Sequence, residues 1–240
     1  MTAAGSAKYL QTIESLMIQA AGAAPTSFHW MLDSFARRGD NIRAYTQNID
    51  GLEERLPNLS STVNPSVDAG FPNLVLMHGS TSRIGCMICH YKCDMQWTLF
   101  REYQFPACPA CPTIPANLHP ERTRSPRPRP NSRKNGVLEP IVLLYDSNPD
   151  AWHELEFNDV MDYDICEEPP DTVVVAGTNL SVRSAARLAS DLCASAHTYG
   201  KQGGTTIWLN LKDIPAKIKP DVFDYAVKGT CDQFARFLGF

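Results

Sequence analysis

Four of the eight cysteines lie in two closely spaced pairs that have the pattern of a metal site. Cys86 and Cys89 form the first Cys-x-x-Cys pair, and Cys108 and Cys111 form the second after eighteen intervening residues. A spacer that folds back brings four thiolates to one zinc ion, with each sulfur about 2.3 Å from the metal. Because four thiolates fill a tetrahedral coordination sphere, we predict a structural rather than a catalytic zinc ion. Reduced free cysteines, or use of the neighbouring Cys93, are the alternatives.

A polar run with ligand-binding side chains follows the first strand-like run. Residues 46–51 (TQNIDG) come directly after the apolar run Ile42–Tyr45, which has the pattern of a buried strand. The carboxyl ends of parallel strands form the edge where open α/β sheets bind ligands. Gln47, Asn48 and Asp50 would there hold a ribose hydroxyl, a carboxamide and a water. An Asn/Asp-Gly turn that satisfies its own backbone is the alternative, and the run taken alone favours it.

His78 lies at a second strand end of the same kind. It follows the apolar run Leu74–Met77, and Gly79 after it leaves room for a ligand to approach. A single histidine is more often a packed or surface residue than a base, so His78 alone indicates no chemistry. Together with the TQNIDG run it becomes a candidate catalytic base, because an imidazole accepts and returns protons near neutral pH.

Two later strand ends carry residues suited to phosphate and ribose. The apolar run Val173–Ala176 is followed by the turn 177–179 (Gly-Thr-Asn) and then by a helical pattern. Gly177 allows the backbone to approach a ligand closely, and the helix N-terminus offers N–H groups to a phosphate. Asn210 ends the next strand-like run, where a ribose would be met. Such junctions are common in α/β proteins, so each one alone is a weak signal.

Hydrophobic periodicity around these motifs predicts an α/β fold. Strand-like runs alternate with helical patterns, which indicates a parallel sheet covered by helices on both faces. Gly200 is expected to end one helix in the left-handed conformation. The predicted helices lie at 1–39 in two segments, 153–161, 181–199 and 231–238, and the strand-like runs at 42–45, 74–77, 138–145, 172–176 and 205–211.

The region 79–136 differs in composition from the rest of the chain. It carries five of the eight cysteines and ends in a tract rich in proline and arginine. We therefore predict three segments: 1–78 as the first part of the α/β domain, 79–136 as a small zinc-binding domain with a basic loop, and 137–240 as the second part. Outside the insert, Cys166 and Cys193 are expected to be small buried thiols.

Composition and charge exclude several classes of protein. With 240 residues, 43% of them hydrophobic and 20% charged, and a net charge of -4, the chain lies in the ordinary globular range. This excludes extensive disorder and an overall charge that would coat nucleic acid. No apolar run approaches the roughly 20 residues of a bilayer span, and Met1–Gln19 lacks the pattern of a secretory signal. We expect an intracellular, reducing compartment, where cysteines serve as metal ligands or buried thiols.

Together these motifs resemble the sirtuin family of NAD-dependent protein deacylases, from about Ala24 to the C-terminus. The LEERLP and LLYDSNP segments and the long basic insert are most similar to the fungal nuclear branch that deacetylates histones. The resemblance implies a Rossmann-like parallel sheet with helices on both faces and a small zinc-ribbon insert domain. The matching segments are TQNIDGLE (Thr46–Glu53), HG (His78–Gly79), CMIC (Cys86–Cys89), CPAC (Cys108–Cys111), EPIVLLYDSNP (Glu139–Pro149), VVVAGTNLSV (Val173–Val182), TIWLNL (Thr206–Leu211) and DYAVKGTCDQF (Asp224–Phe234).

The resemblance implies roles for residues at matching positions. His78 matches the catalytic histidine, which acts as general base on the nicotinamide-ribose hydroxyls. The implied reaction removes an acetyl group from lysine, consumes NAD, and releases nicotinamide and O-acetyl-ADP-ribose. The substrate peptide would add as a strand beside Val142–Tyr145. The implied NAD-binding residues are Gln47, Asn48, Ile49 and Asp50 around the nicotinamide ribose, Gly177, Thr178 and Asn179 at the phosphates and ribose, Asn210 at the adenosine ribose, and Cys231 beside the adenine.

The chain departs from the family pattern in two places. Before Ala24 it has neither the Gly-Ala-Gly-Ile-Ser loop that grips the diphosphate nor the Pro-Asp-Phe-Arg segment, and no G-x-G-x-x-G fingerprint. Residues 145–147 are Tyr-Asp-Ser. At these three positions the family usually has an aromatic residue, then Gly or Asn, and then Glu. The alternative function is therefore a catalytically inactive, N-terminally truncated sirtuin-like protein that acts as a binding or regulatory module.

A basic tract gives a third hypothesis. Residues 121–134 carry six arginine and lysine side chains against one glutamate, a local charge of +5. Nucleic-acid contact through residues 122–134 is one interpretation. The alternatives are a solvated loop and a nuclear-localisation element. The prolines keep the tract extended and no aromatic side chain is present for base stacking, which argues against nucleic-acid binding. We expect a nuclear protein, with the cytoplasm as a second compartment and an acetylated histone peptide as partner.

Overall fold

The computed structural model describes residues 3–61, 72–111, 136–143 and 159–240. The chain forms two compact units, which are described separately. Unit 1 contains residues 1–22 and 79–152, and unit 2 contains residues 23–78 and 153–240. Over the described ranges, no helix is long and apolar enough to cross a membrane.

The described chain begins with two helices, continues mainly in strands, and mixes strands and helices in its C-terminal part. The helices are α1 (Ala3–Gly22), α2 (Ser27–Arg37), α3 (Arg183–Tyr199) and α4 (Cys231–Phe237). The strands are β1 (Ala44–Thr46), β2 (Leu74–Leu76), β3 (Gly79–Cys86), β4 (Lys92–Asp94), β5 (Leu138–Val142), β6 (Thr172–Ala176), β7 (Thr205–Asn210) and β8 (Tyr225–Lys228). A π-helical turn, Tyr163–Glu167, precedes β6. The basic tract 122–134 and the substrate-side residues 145–147 lie outside the described residues.

Unit 2 holds the parallel strands that the alternating pattern predicts, and the α/β class is confirmed. β1 pairs with β2 in parallel, and β6, β7 and β8 form a second parallel sheet in that order. The side chain of Trp208 on β7 is 1% exposed and packs with Val173, Val175 and Phe223. Burial of apolar side chains of this size stabilises the sheet by about 1.5–3 kcal/mol each.

Helix α3 covers the β6–β8 sheet with the apolar stripe that its periodicity predicts. Its buried residues recur at helical spacing, which places them on one face. They are Ala185, Leu188, Ala189, Cys193, Ser195 and Ala196. The N-terminus of α3 is thereby fixed at the end of β6, beside the turn 177–179.

Gly200 ends α3 as predicted, but not in the left-handed conformation. Its φ is -61° and its ψ is 147°, which is extended backbone. A Cβ at this position would collide with the carbonyl oxygens of Ala196 and Pro170. Glycine is therefore required here by close packing and not by a positive φ.

Helix α2 begins directly after its N-cap residue Thr26 and contacts α4. Thr26 and His29 form a reciprocal capping box at the start of α2. The backbone N–H of Phe28 donates to Asp232 Oδ1 of α4 at 3.0 Å. The Thr26 hydroxyl, and then this bond from Phe28, hold the pKa of the Asp232 carboxyl below its usual range. Met31, in the middle of α2, is buried.

Unit 1 combines the cysteine-bearing segment with two parts of the chain that were expected elsewhere. β3 pairs antiparallel with β4 and with β5, with Ile84 opposite Pro140. The prediction that 138–145 joins the parallel sheet is therefore wrong: β5 completes the sheet of unit 1. Helix α1 also belongs to this unit, since Leu10 is fully buried with Ile84 and Phe100.

The two compact units therefore divide the chain differently from the predicted segments 1–78, 79–136 and 137–240. The N-terminal helix and β5 lie with the cysteine-bearing region, whereas residues 23–78 and 153–240 form the α/β unit. Hydrophobic contact and strand pairing cause the difference, because α1 buries its apolar side on β3 and β5 pairs with the same strand.

The two cysteines outside the pairs differ in burial. Cys193 on α3 is buried as expected, and burial raises the pKa of its thiol to about 12. Cys166, predicted to be buried, is exposed, because it lies on the outside of the π-helical turn.

We predict that Leu10→Ala destabilises unit 1 by about 2–5 kcal/mol, because it leaves a cavity in a closed apolar cluster. Ile18→Ala on the same helix is the matched control. Ile18 is 68% exposed, so its loss is expected to change the free energy of unfolding by no more than about 0.5 kcal/mol. Urea denaturation, monitored by tryptophan fluorescence, measures the free energy of unfolding of both variants. Equal effects of the two changes would show that α1 does not pack as described.

Candidate functional site

The four paired cysteines converge on one point in unit 1. Their Sγ atoms all lie within 4.8 Å of one another. Cys86 Sγ is 3.6 Å from Cys111 Sγ, and Cys89 Sγ is 3.5 Å from Cys108 Sγ. Four sulfurs at 2.3 Å from a central zinc ion are about 3.8 Å apart, so the spacing matches a tetrahedral site.

A glycine makes room for this cluster. A Cβ on Gly136 would collide with the sulfurs of Cys86 and Cys111, and would crowd Cys108 as well. The Gly136 carbonyl also accepts a hydrogen bond from the backbone N–H of Cys108 at 2.8 Å. The donor set and its surroundings fit zinc, and the prediction of four cysteines placed to hold it is confirmed. Cys93 is not part of the cluster.

Unit 2 contains a cavity of about 1570 Å³ that runs along β6 and reaches the carboxyl ends of β1, β6 and β7. Cavities that bind small molecules usually measure about 300–1,000 Å³, so this one has room for a dinucleotide. His78, Ile49 and Asp50 do not form part of its wall. The predicted residues that line it are Gln47, Asn48, Gly177, Thr178, Asn179, Asn210 and Cys231.

The turn after β1 satisfies part of its own backbone, as the alternative interpretation expects. The Thr46 hydroxyl accepts from the Asn48 N–H at 3.1 Å and donates to Glu53 Oε1 at 2.8 Å. Asp50 Oδ1 accepts from the Leu52 N–H at 3.1 Å. These bonds make the turn rigid. The side chain of Asn48 is exposed and forms no hydrogen bond within the described part of the chain.

Gln47 joins the two predicted parts of the site. Its Nε2 donates to Thr178 Oγ1 at 2.9 Å, which links the end of β1 to the turn after β6. Its backbone oxygen lies 3.1 Å from His78 Nδ1. A carbonyl oxygen only accepts, so Nδ1 carries the proton of the neutral imidazole and Nε2 keeps its lone pair. His78 thus has the tautomer that a base acting through Nε2 requires.

The turn after β6 has an unusual backbone. Gly177 has a φ of +64° and Leu180 a φ of +51°. For leucine this conformation costs about 1–2 kcal/mol. The cost is offset because the Leu180 side chain is buried, its N–H donates to Thr178 Oγ1 at 3.0 Å, and Lys217 Nζ donates to its carbonyl oxygen.

The neighbouring positions on this turn and on β7 are also tied down. Asn179 is exposed, and its Oδ1 accepts from the Ser181 N–H at 3.1 Å. Asn210 Nδ2 donates to the Thr178 carbonyl at 2.6 Å, and Asn210 Oδ1 accepts from the Lys212 N–H at 3.1 Å. Thr178 is therefore contacted from β1 through Gln47 and from β7 through Asn210.

Cys231 begins α4 and faces the same turn. A Cβ built on Gly177 would lie 3.5 Å from its sulfur, which shows that the two positions are neighbours. Burial, and then the nearby Asp232 carboxylate, raises the pKa of the Cys231 thiol. The thiol is thus neutral at neutral pH and offers a small apolar contact rather than a nucleophile.

Sequence reasoning missed the charged cluster beside the cavity. Arg43 binds Asp164 with two hydrogen bonds, and the Tyr45 hydroxyl donates to the same carboxylate. Asp164 lies 121 residues from Arg43 in an acidic segment, and no sequence pattern near it indicates that it pairs with this arginine. Glu53, buried behind Thr46, was part of the TQNIDGLE segment but had no assigned role.

Known proteins match both the sequence and the fold. The sequence profile of the Sir2 family matches residues 3–184. The NAD-dependent protein deacetylase hst4 of Emericella nidulans is 31% identical over 234 residues, 96% of this chain and 37% of that protein. The NAD-dependent histone deacetylase HST4 of Saccharomyces cerevisiae is 29% identical over 249 residues, 97% of this chain and 62% of that protein. The chain thus spans less than two thirds of these relatives.

Solved structures show the same fold at lower identity. A structure of Sir2Tm bound to a propionylated peptide matches with a TM-score of 0.64 at 18% identity, over 97% of this chain and 77% of that one. A complex of Sir2 with a p53 peptide and NAD+ matches with a TM-score of 0.59 at 19% identity, over 92% of this chain and 71% of that one.

The match to the family profile covers more than half of the chain, and the Emericella relative exceeds 30% identity over almost all of it. The cysteine cluster and the two parallel sheets of unit 2 agree with both comparisons. This chain belongs to the Sir2 family.

Proposed function

We propose that this chain is an NAD-dependent protein lysine deacetylase that acts on acetylated histones. The observation that carries the proposal is the position of Gln47, whose side chain bonds Thr178 and whose backbone oxygen bonds His78. One residue therefore links the candidate base to the wall of a cavity large enough for a dinucleotide. The related fungal proteins are named NAD-dependent protein or histone deacetylases.

The cavity has the features that a dinucleotide needs. Gly177 presents bare backbone, and no side chain of the described residues caps the N-terminus of α3, which begins at Arg183. The N–H groups of that first turn favour a phosphate. Thr178 and Asn179 would hold the phosphate and its ribose, Asn210 the adenosine ribose, and Cys231 the adenine face.

Beside the turn 177–179, the turn 46–51 would hold the nicotinamide ribose through Gln47 and Asn48, which line the cavity, and through Ile49 and Asp50, which follow them. Bound NAD would supply the glycosidic bond to nicotinamide, whose cleavage is coupled to removal of the acetyl group. His78 would accept a ribose hydroxyl proton at Nε2, with Nδ1–H held on the Gln47 carbonyl. An acetyl-lysine peptide would lie beside Val142–Tyr145, of which 142 and 143 are described.

Zinc would act in unit 1 as a structural ion. The four sulfurs fill its coordination sphere, so no position is left for water or substrate. The cysteines lie in the same apolar cluster as Leu10, Ile84 and Phe100. Metal binding would therefore stabilise this unit and take no part in the chemistry.

The expected compartment is the nucleus, since relatives are named histone deacetylases. The basic tract 122–134 would serve as a localisation element or contact nucleic acid. A DNA-binding assay at low salt tests the contact with nucleic acid. This role is supported if the protein binds DNA and a variant with the arginines of the tract replaced by glutamine does not.

We predict that the protein releases nicotinamide from NAD in the presence of an acetylated histone peptide, and that His78→Ala lowers this rate by about 10²- to 10⁴-fold, the usual contribution of a general base. His197→Ala is the matched control. His197 Nε2 bonds Asp224 at 3.1 Å at the amino ends of the strands, away from the proposed site. Equal rates for His78→Ala and the wild type would contradict the role of His78. No release from a folded wild type would favour the inactive binding module.

We predict about one zinc ion per chain, which is lost in Cys108→Ser together with part of the thermal stability, because three thiolates no longer complete the tetrahedron. Cys166→Ser is the control, since Cys166 is exposed and outside the cluster. Elemental analysis and circular dichroism measure the two effects. Full zinc content in Cys108→Ser would exclude the four-cysteine site.

A further inference from the structure

A buried ionic cluster lies just before the turn that carries Gln47. Asp164 is 7% exposed. Arg43 donates from Nε to its Oδ2 at 2.9 Å and from Nη2 to its Oδ1 at 3.1 Å. The Tyr45 hydroxyl donates to the same Oδ2 at 2.7 Å. One carboxylate thus receives three hydrogen bonds from two residues of a single short segment.

Burial of these charged and polar groups costs free energy. Because the cluster therefore adds little net stability, its role is better explained by the geometry that it fixes. Two charges taken out of water recover their desolvation cost only with good geometry, and such pairs often add little net stability. Burial, and then the Asp164 carboxylate, raises the pKa of the Tyr45 hydroxyl well above its usual range. Tyr45 is therefore protonated at neutral pH and able to donate its hydrogen bond to Asp164.

Asp164 is itself held firmly. It lies in the π-helical turn Tyr163–Glu167, a rare conformation that often occurs at functional sites. The Ser195 hydroxyl of α3 donates to the carbonyl oxygen of Ile165 at 2.6 Å. The carboxylate is therefore anchored to the same helix whose N-terminus follows the turn 177–179.

The strand that carries Tyr45, one of the two donors, is held by few other contacts of its backbone. β1 is only three residues long and pairs with β2 at three positions. Gln47 follows Tyr45 by two residues, and both of its contacts are short, at 2.9 Å to Thr178 and 3.1 Å to His78. A shift of about 1 Å along the strand would lengthen both contacts beyond hydrogen-bonding distance.

We propose that Arg43, Tyr45 and Asp164 are positioning residues that fix β1 so that Gln47 meets both Thr178 and His78. The cluster touches no reacting atom and acts through Gln47. The inference rests on the proposed function for its effect on NAD, but its effect on the protein without ligand can be measured independently.

Tyr45→Phe is the variant of choice, because it removes one hydrogen bond and leaves the Arg43–Asp164 pair intact. Variants of Asp164 would remove the carboxylate partner of a largely buried arginine and risk unfolding. Tyr103→Phe is the matched control. Its hydroxyl donates to Glu14 at 2.8 Å, so the same bond type is lost within unit 1.

The first readout is amide hydrogen exchange of the ligand-free protein, resolved by residue with NMR. The N–H of Asn48 donates to Thr46 and that of Leu180 to Thr178, so these two amides report on the two turns. Tyr45→Phe is expected to speed exchange at both by about three- to tenfold, and Tyr103→Phe to change neither. Unchanged exchange at Asn48 and Leu180, or equal acceleration throughout unit 2, would overturn the proposal.

The second readout is the KM for NAD in nicotinamide release. Tyr45→Phe is expected to raise it by about three- to tenfold without changing the KM for the peptide, and to add nothing in a Gln47→Ala background. Additive effects of the two changes would overturn the proposed route through Gln47. If the wild type releases no nicotinamide, the proposed function is refuted but the positioning role of the cluster is not. The hydrogen-exchange measurement on the ligand-free protein then decides that role.

Discussion

The hydrogen bond between Gln47 and Thr178 is the contact on which the proposed site depends. It joins the carboxyl end of β1 to the turn after β6, and these strands belong to two separate parallel sheets of unit 2. Without it, the turn 46–51 and the turn 177–179 would be two unrelated loops. With it, Gln47, Thr178 and the bare backbone of Gly177 line one cavity, and Gln47 connects the candidate base His78 to the wall of that cavity.

The rest of unit 2 holds this contact in place. Asn210 reaches Thr178 from β7, and Asp164 reaches β1 from the π-helical turn. The apolar packing of Trp208 and α3 fixes the sheet from which β6 and β7 extend. Polar contacts therefore set the geometry of the site, whereas hydrophobic burial supplies the stability that tolerates a strained Leu180.

Sequence reasoning succeeded where the signal was local. Two Cys-x-x-Cys pairs, the 3.6-residue stripe of α3 and the strand-ending turns each lie within a few residues, so spacing alone identifies them. It failed for β5 and α1, because an apolar strand does not specify whether its partner is parallel, and an apolar helix face does not specify which sheet it covers. The contacts of Gln47 and Asp164 span 131 and 121 residues and were equally hidden. Only the order of several motifs pointed to the family.

The central claim is that the cavity of unit 2 binds NAD at the carboxyl ends of its strands. An NMR titration of the protein with NAD tests it most directly, because it locates even weak binding by residue. The account predicts that amide signals of 46–50, 177–183, 210–212 and 230–231 shift along one saturating curve, while those of 79–111 do not. Shifts confined to other residues, or none at saturating NAD, would contradict it.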